Sequence, residues 1–132
     1  MIDVNLARQI LETDGFFRNH TVEIIRLEQG DVEISVPMWE NVERLGGIMS
    51  GAAIMAFSDA AAAFCAMTIE DVVNEVSSSL STSFYIPIKE GPANFRATLR
   101  KGGKTLAYCH VEVRDGKGVL CAESYGTYYL FR

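Results

Sequence analysis

Histidine, cysteine, proline and cations are all scarce in this chain of 132 residues, and each shortage closes off a class of function. Two histidines, His20 and His110, cannot supply the histidine set of a catalytic zinc centre. Three cysteines, Cys65, Cys109 and Cys121, are an odd number with no CxxC spacing, each inside an apolar run. They read as buried, reduced thiols in a cytoplasmic protein, and no metal site or disulfide frame is expected. Only three prolines interrupt the chain, and no linker, repeat or low-complexity stretch is present. Twelve Lys plus Arg against seventeen Asp plus Glu leave a net charge of −5, which removes the basic footprint of a nucleic-acid-binding protein. The first residues carry acids among their apolar side chains in place of a basic region and an unbroken apolar core, so no export signal is expected.

What is present is a core: 48% of the residues are hydrophobic, enough for one globular domain over 1–132. The charge is unevenly spread. Residues 1–80 hold four basic and thirteen acidic side chains, net −9, and residues 81–132 hold eight and four, net +4, so an anionic ligand should approach the C-terminal half.

Apolar residues at helical spacing (Leu6, Ile10, Leu11) predict a short helix over Val4 to Glu12, stopped by Asp14-Gly15. Period-two alternation then predicts a hairpin, Thr21 to Glu28 and Val32 to Pro37, turning at Gly30-Asp31. A polar loop after Trp39 leads to Gly47. The stretch Ser50 to Met67 has almost no polar face, so it is a helix that other structure must wrap; its Ala and Gly content and its internal Asp59 argue against a membrane span. Four strands follow, Val76 to Ile86, Ala93 to Arg100, Lys104 to Arg114 and Val119 to Phe131, separated by Gly91-Pro92, Gly102-Gly103 and Asp115-Gly116. The order implies an α+β fold, one antiparallel sheet curled around the central apolar helix. In the strand after that helix, alternation puts Ser77, Ser79, Ser81 and Ser83 on one face and Leu80, Thr82, Phe84 and Ile86 on the other. Trp39, Tyr125, Tyr128 and Tyr129 read as core and edge packing, and His110 as a surface or interface residue.

Asp59 is the one charged side chain between Arg44 and Glu70, in IMAFSDAAAAF, where a carboxylate is costly to bury alone. It reads either as a catalytic carboxylate or as a structural group bonded to Ser58 or a strand serine. Ser50 is a good N-cap, and the N–H groups of Gly51 and Ala52 behind it lack intrahelical acceptors. They start a plain capped helix or polarise a bound carbonyl. Gly51 and Asp59 are eight helical residues apart, about 12 Å along the axis. If both act on one carbonyl they come from two chains, so a homodimer with composite sites is expected. The turn Arg100-Lys101-Gly102-Gly103-Lys104 reads as a phosphate site or as a solvated hairpin tip.

The stretches GGIMSGAAIMAFSDAAAA and SSSLSTSFYIPIKEGPANFRATLRKGGKTLAYCHVEVRDGKGVLCAESYGTYYL resemble the hotdog-fold acyl-CoA thioesterases of the phenylacetate-pathway, PaaI-like type, over about Gly30 to Phe131. The resemblance implies the hotdog fold, homodimers that join their sheets and in places pair again as dimers of dimers, and hydrolysis of an acyl-CoA to a carboxylic acid and coenzyme A. It implies no cofactor beyond the coenzyme A of the substrate, and no nucleic-acid or membrane partner. It makes Asp59 the base or nucleophile, the Gly51 N–H of the partner chain the donor to the thioester carbonyl, and Ser77 the hydroxyl that places the water. Two departures stand out. Ser50-Gly51-Ala52 replaces the family's His-Gly-Gly, and Arg44 replaces an Asn six residues before that histidine, with Asn41 as a stand-in. Lys101 and Lys104, with Arg100, are the expected partners of the coenzyme A phosphates, and Ala52, Ala53, Ala56 and Ala60 leave room for the acyl group. A non-catalytic acyl-CoA-binding module and enoyl-thioester hydration are the competing functions.

Overall fold

The computed structural model describes residues 1–39 and 41–132. Its first helix, α1 (Val4–Thr13), is capped by the Asp3 carboxylate accepting from the Leu6 N–H at 2.8 Å, and it buries Ala7 and Leu11. Asp14 ends it and immediately starts a 3₁₀ turn, Phe17–Asn19, by accepting from the Phe16 and Phe17 N–H groups. The strands β1 (Glu23–Glu28) and β2 (Asp31–Val36) form the expected hairpin, with the turn one residue earlier than read, at Gln29-Gly30. Gly30 sits at φ 75°, a conformation that favours glycine.

The loop after Trp39 is not wholly irregular. It folds back as a two-stranded ribbon, β3 (Glu43–Arg44) with β4 (Ile48–Met49), turning through Gly46 and Gly47 at φ 102° and 72°. That ribbon delivers the chain to α2 (Gly51–Met67) through bonds from the Ser50 N–H to Val42 O and from the Met49 N–H to Ile88 O. The remaining strands are β5 (Asn74–Phe84), β6 (Ala93–Gly102), β7 (Leu106–Arg114) and β8 (Leu120–Phe131).

Six strands make one antiparallel sheet in the order β1-β2-β6-β7-β8-β5. Its concave face presents Val32, Ile34, Phe95, Ala97, Val111, Val113, Ala122 and Tyr128, all fully buried, and α2 packs against β2, β5, β6, β7 and β8. Alanines on both sides bring sheet and helix close. The helix is buried on every side but one. Ala52, Met55, Ala56, Asp59 and Ala63, at helical i, i+3, i+4 and i+7 spacing, form its accessible strip. Ala53 and Ala60, expected to open space for a ligand, point instead into the core. No helix among the described residues is long and apolar enough to cross a membrane.

Strand β5 closes one edge of the sheet and, among the described residues, has no partner on its outer side. It is also bulged. Ser77 pairs with Tyr128 and Ser79 with Thr127, so Ser78 is an extra residue and the alternation reverses there. The single serine face is therefore not formed: Ser77 shares the helix side with Leu80 and Thr82, while Ser79, Ser81 and Ser83 face away.

Candidate active site

Asp59 emerges from the accessible strip of α2 opposite β5 and β8. The Ser77 hydroxyl donates to Asp59 Oδ1 at 2.8 Å and the Tyr128 hydroxyl donates to the same oxygen at 2.9 Å. Two donors on one oxygen fix the carboxylate plane and leave Oδ2 as the oxygen available to a water or an acyl carbon. Ser77 thus orients the carboxylate itself.

The sequence reads Tyr128 together with Tyr125, Tyr129 and Trp39 as packing, and the structure separates them. Tyr128 is fully buried, whereas Tyr125, Tyr129 and Trp39 are 59%, 43% and 53% exposed. Alternation along β8 separates them, because even-numbered residues face α2. Burial, followed by the negative charge of Asp59, pushes the Tyr128 hydroxyl well above the ordinary tyrosine range, so it remains a donor.

Space for the Tyr128 ring comes from Gly126, two residues back on the same face. A Cβ at Gly126 would lie 2.6 Å from Tyr128 Cε2 and 2.7 Å from its hydroxyl oxygen. Gly126→Ala is expected to displace the ring, break the bond to Asp59 and cost about 1–3 kcal/mol of stability by overpacking. Urea denaturation checks this, and a midpoint equal to wild type would contradict it.

Glu75, which no motif in the sequence marks, lies two residues before Ser77 on the same strand. Burial first, and the charge of Asp59 second, push its carboxyl up to about 7. Its Oε2 is buried without a hydrogen-bond partner among the described residues.

At the other end of this stretch of α2 the Ser50 hydroxyl caps the helix, accepting from the Ala53 N–H at 3.0 Å. The N–H groups of Gly51 and Ala52 have no acceptor among the described residues. Gly51 opens onto a cleft of about 390 Å³ lined by Arg44, Ile48, Phe84, Tyr85, Ile86 and Pro87. Arg44 and Gly51 are therefore brought together, but Asp59 does not line this cleft, in keeping with the axial separation of about 12 Å.

Asn41 lies elsewhere. Its amide donates to Asn19 O at 2.7 Å and it lines a separate cleft with Met38, Trp39 and Glu43, so it does not stand in beside Gly51. The cationic hairpin tip is also divided. Arg100 donates to His110 Nδ1 at 3.0 Å, while Lys101 and Lys104 are exposed. His110, expected at the surface, is buried among Arg100, Glu123 and the Tyr125 ring, with Nε2 on Glu123 Oε2. The Arg100 donor makes Nδ1 the acceptor, which leaves the Nε2 proton for Glu123. This group lies on the sheet face away from α2 and takes no part in the Asp59 site.

Comparison with known proteins gives the family and the fold. Residues 46–122 match the family model described as Thioesterase superfamily. A protein of Thermoplasma acidophilum whose name proposes an esterase is 43% identical over 132 residues, spanning all of both chains. Among solved structures, zebrafish thioesterase superfamily member 2 superposes with a TM-score of 0.89 at 24% identity, covering 99% of this chain and 100% of that one. The Escherichia coli PaaI protein from the phenylacetic acid degradation operon does so with a TM-score of 0.85 at 17% identity, covering 96% and 91%. At those identities the structural likeness is one of fold, and it is the hotdog fold.

Proposed function

Starting from the chain's membership of the thioesterase superfamily, we propose that it is an acyl-CoA thioesterase whose active sites are each shared by two subunits. The observation that carries this reading is the placement of Asp59 and Gly51 along β5. Asp59 is bonded to Ser77, near the start of the strand, and Gly51 lies against the ring of Phe84, at its end. Among the described residues the outer side of β5 is unpaired. A second copy added antiparallel along this edge, about a two-fold axis near Leu80 and Ser81, exchanges the two ends of the strand. Ser77 of one chain then lies beside Phe84 of the other, and Asp59 of one chain beside the Gly51 amide of the other. Both helices remain on one face of a continuous sheet.

In that assembly the Gly51 N–H donates to the thioester carbonyl and holds the oxyanion as it forms. Asp59 Oδ2 removes the proton of an attacking water, or attacks the carbonyl carbon itself and is then released by water. The tetrahedral adduct collapses, the C–S bond breaks, and the coenzyme A thiolate leaves with the carboxylic acid as the second product. Asp59 regains its starting form by losing the proton to solvent. Ser77 and Tyr128 hold Oδ1 throughout. The acyl group lies along Ala52, Ala56 and Ala63, the accessible strip of α2, and Arg44, Lys101 and Lys104 meet the anionic part of coenzyme A. No metal or redox group enters this scheme, and the three unpaired, buried cysteines suit a reducing, cytoplasmic setting.

Thiol release from short, medium, long and aromatic acyl-CoAs tests the proposal. Turnover of at least one class is expected. Acyl-CoA that binds to the protein but releases no thiol would favour a binding module and overturn the enzymatic reading.

A further inference from the structure

Glu75 and Arg44 are each left unmatched within one chain. Glu75 lies opposite the core residue Leu130 of β8, so its side chain is on the helix side of the sheet, as that of Ser77 is two residues on. Its Oε2 is buried without a hydrogen-bond partner, and it forms no ion pair among the described residues. The titratable groups that face it, Asp59 from α2 and Tyr128 from β8, bring no positive charge. Arg132, at the end of β8, is committed to the carbonyl oxygens of Glu70, Gly103 and Lys104. A carboxylate so placed is costly until a cation reaches it.

Arg44 is the complement. It ends β3, and the ribbon with β4 holds it at the Gly51 cleft, where it is the one charged side chain among the described lining residues. It is exposed and forms no ion pair among the described residues, while Glu43 beside it lines the separate cleft of Asn41. Phe84 to Pro87 line the Gly51 cleft with it, and the chain stays hydrogen-bonded to β8 as far as Ile86, whose N–H donates to Cys121 O at 3.1 Å. The exchange of strand ends that sets Ser77 beside the partner's Phe84 sets Glu75, two residues earlier, beside the partner's Ile86, two residues later. Neighbouring strands bring such residues to about 5 Å. Ile86 and Arg44 line one cleft, so the exchange carries Glu75 to the partner's Arg44.

We propose that Glu75 of each subunit forms an ion pair with the partner's Arg44 across the β5 edge, and that the two symmetric pairs set the register in which the strands join. The pairs rest on the β5-edge dimer of the shared site. Little else on β5 specifies that register: Ser79, Ser81 and Ser83 face away from the helix and carry neither bulk nor charge. A slip of one strand along the other would part both pairs at once and draw the Gly51 amide away from the partner's Asp59. A guanidinium has five N–H donors, so Arg44 holds Glu75 by one edge and keeps the others for coenzyme A.

Charge exchange in mixed dimers tests the pair. In its own homodimer Arg44→Glu sets like charges against Glu75, and Glu75→Arg sets like charges against Arg44. Each variant is expected to self-associate at least about 100-fold more weakly than wild type, with circular dichroism showing folded chains. Mixed in equal amounts, the two variants restore opposite charges at both positions, and sedimentation is expected to show a heterodimer of near wild-type affinity. Variants that self-associate like wild type, or show no preference for each other, would overturn the pair and leave the joining of Asp59 and Gly51 standing. The milder Arg44→Gln gives a second reading, by carbon-13 titration of Glu75. Its carboxyl is expected to hold a proton about ten-fold more tightly than in wild type, because the facing positive charge is gone, and an unchanged titration would overturn the pair. A monomeric wild type would overturn the pair and the shared site together. Preferential pairing of the two variants, in a wild-type protein that hydrolyses nothing, would retain the pair and refute the thioesterase reading instead.

Discussion

Gly51→Pro is expected to lower hydrolysis of the best acyl-CoA substrate by about 10²- to 10³-fold, the usual effect of removing one oxyanion donor. The substitution is unusually clean at this position. Gly51 is the first residue of α2, where proline is favoured because its fixed φ suits the helix and its missing N–H has no intrahelical acceptor. Ser50 already holds the extended conformation, φ −66° and ψ 144°, that a following proline requires. The added Cβ would meet only the Phe84 ring, at 3.5 Å, an ordinary contact. Gly51→Ala adds the same carbon and keeps the N–H, so it is the control and should stay within a few-fold of wild type. Steady-state kinetics on the two variants, with thermal unfolding to show that both are folded, separates the amide from the space around it. Equal activity in Gly51→Pro and Gly51→Ala would remove Gly51 from the mechanism.

The second large effect is at Asp59. Asp59→Asn should reduce turnover by about 10³-fold, within the range for loss of a general base and smaller than a nucleophile's loss would give. The fold should survive, since the amide oxygen of asparagine accepts from Ser77 and Tyr128 as the carboxylate oxygen does. Acyl-CoA binding should persist as well, because the Gly51 cleft and its Arg44 are untouched. A variant that binds substrate and turns it over at the wild-type rate would return Asp59 to the structural role that its bond to a strand serine also permits.

Much of this site was legible from residue order alone. The apolar run from Ser50 to Met67 with a lone carboxylate inside it predicts both a wrapped helix and a functional Asp59, and the helix occupies Gly51–Met67 behind its Ser50 cap. The strands also lie within a few residues of their predicted bounds, because half-buried strands alternate and the turns between them carry Gly, Pro or Asp. Failures fall where local pattern carries no information. The ribbon formed by Glu43–Arg44 and Ile48–Met49 is too short to show a period. The bulge at Ser78 reverses the face of Ser77 relative to the later serines, and nothing in a run of identical residues marks which one is extra. Tyr128 was distinguishable in principle from Tyr125 and Tyr129 by parity along its strand, and Gly126 two residues earlier was the visible sign that a large ring needs room there. Glu75 had no such sign. The charge of Asp59 reaches it only because a helix and a strand meet in space, and the bond between Arg100 and the buried His110 likewise depends on how two strands pair.

In the proposed shared site one chain supplies the carboxylate and the other the amide, and a mixed dimer tests this directly. Asp59→Asn and Gly51→Pro chains, each inactive as a homodimer, are co-expressed with different affinity tags and the heterodimer is isolated. With shared sites, one of its two sites joins a native Asp59 to a native Gly51, and the heterodimer should regain roughly half of the wild-type activity. If each chain builds its own site, every site in the heterodimer carries one lesion, and activity that stays at the level of the two parents would contradict the shared site.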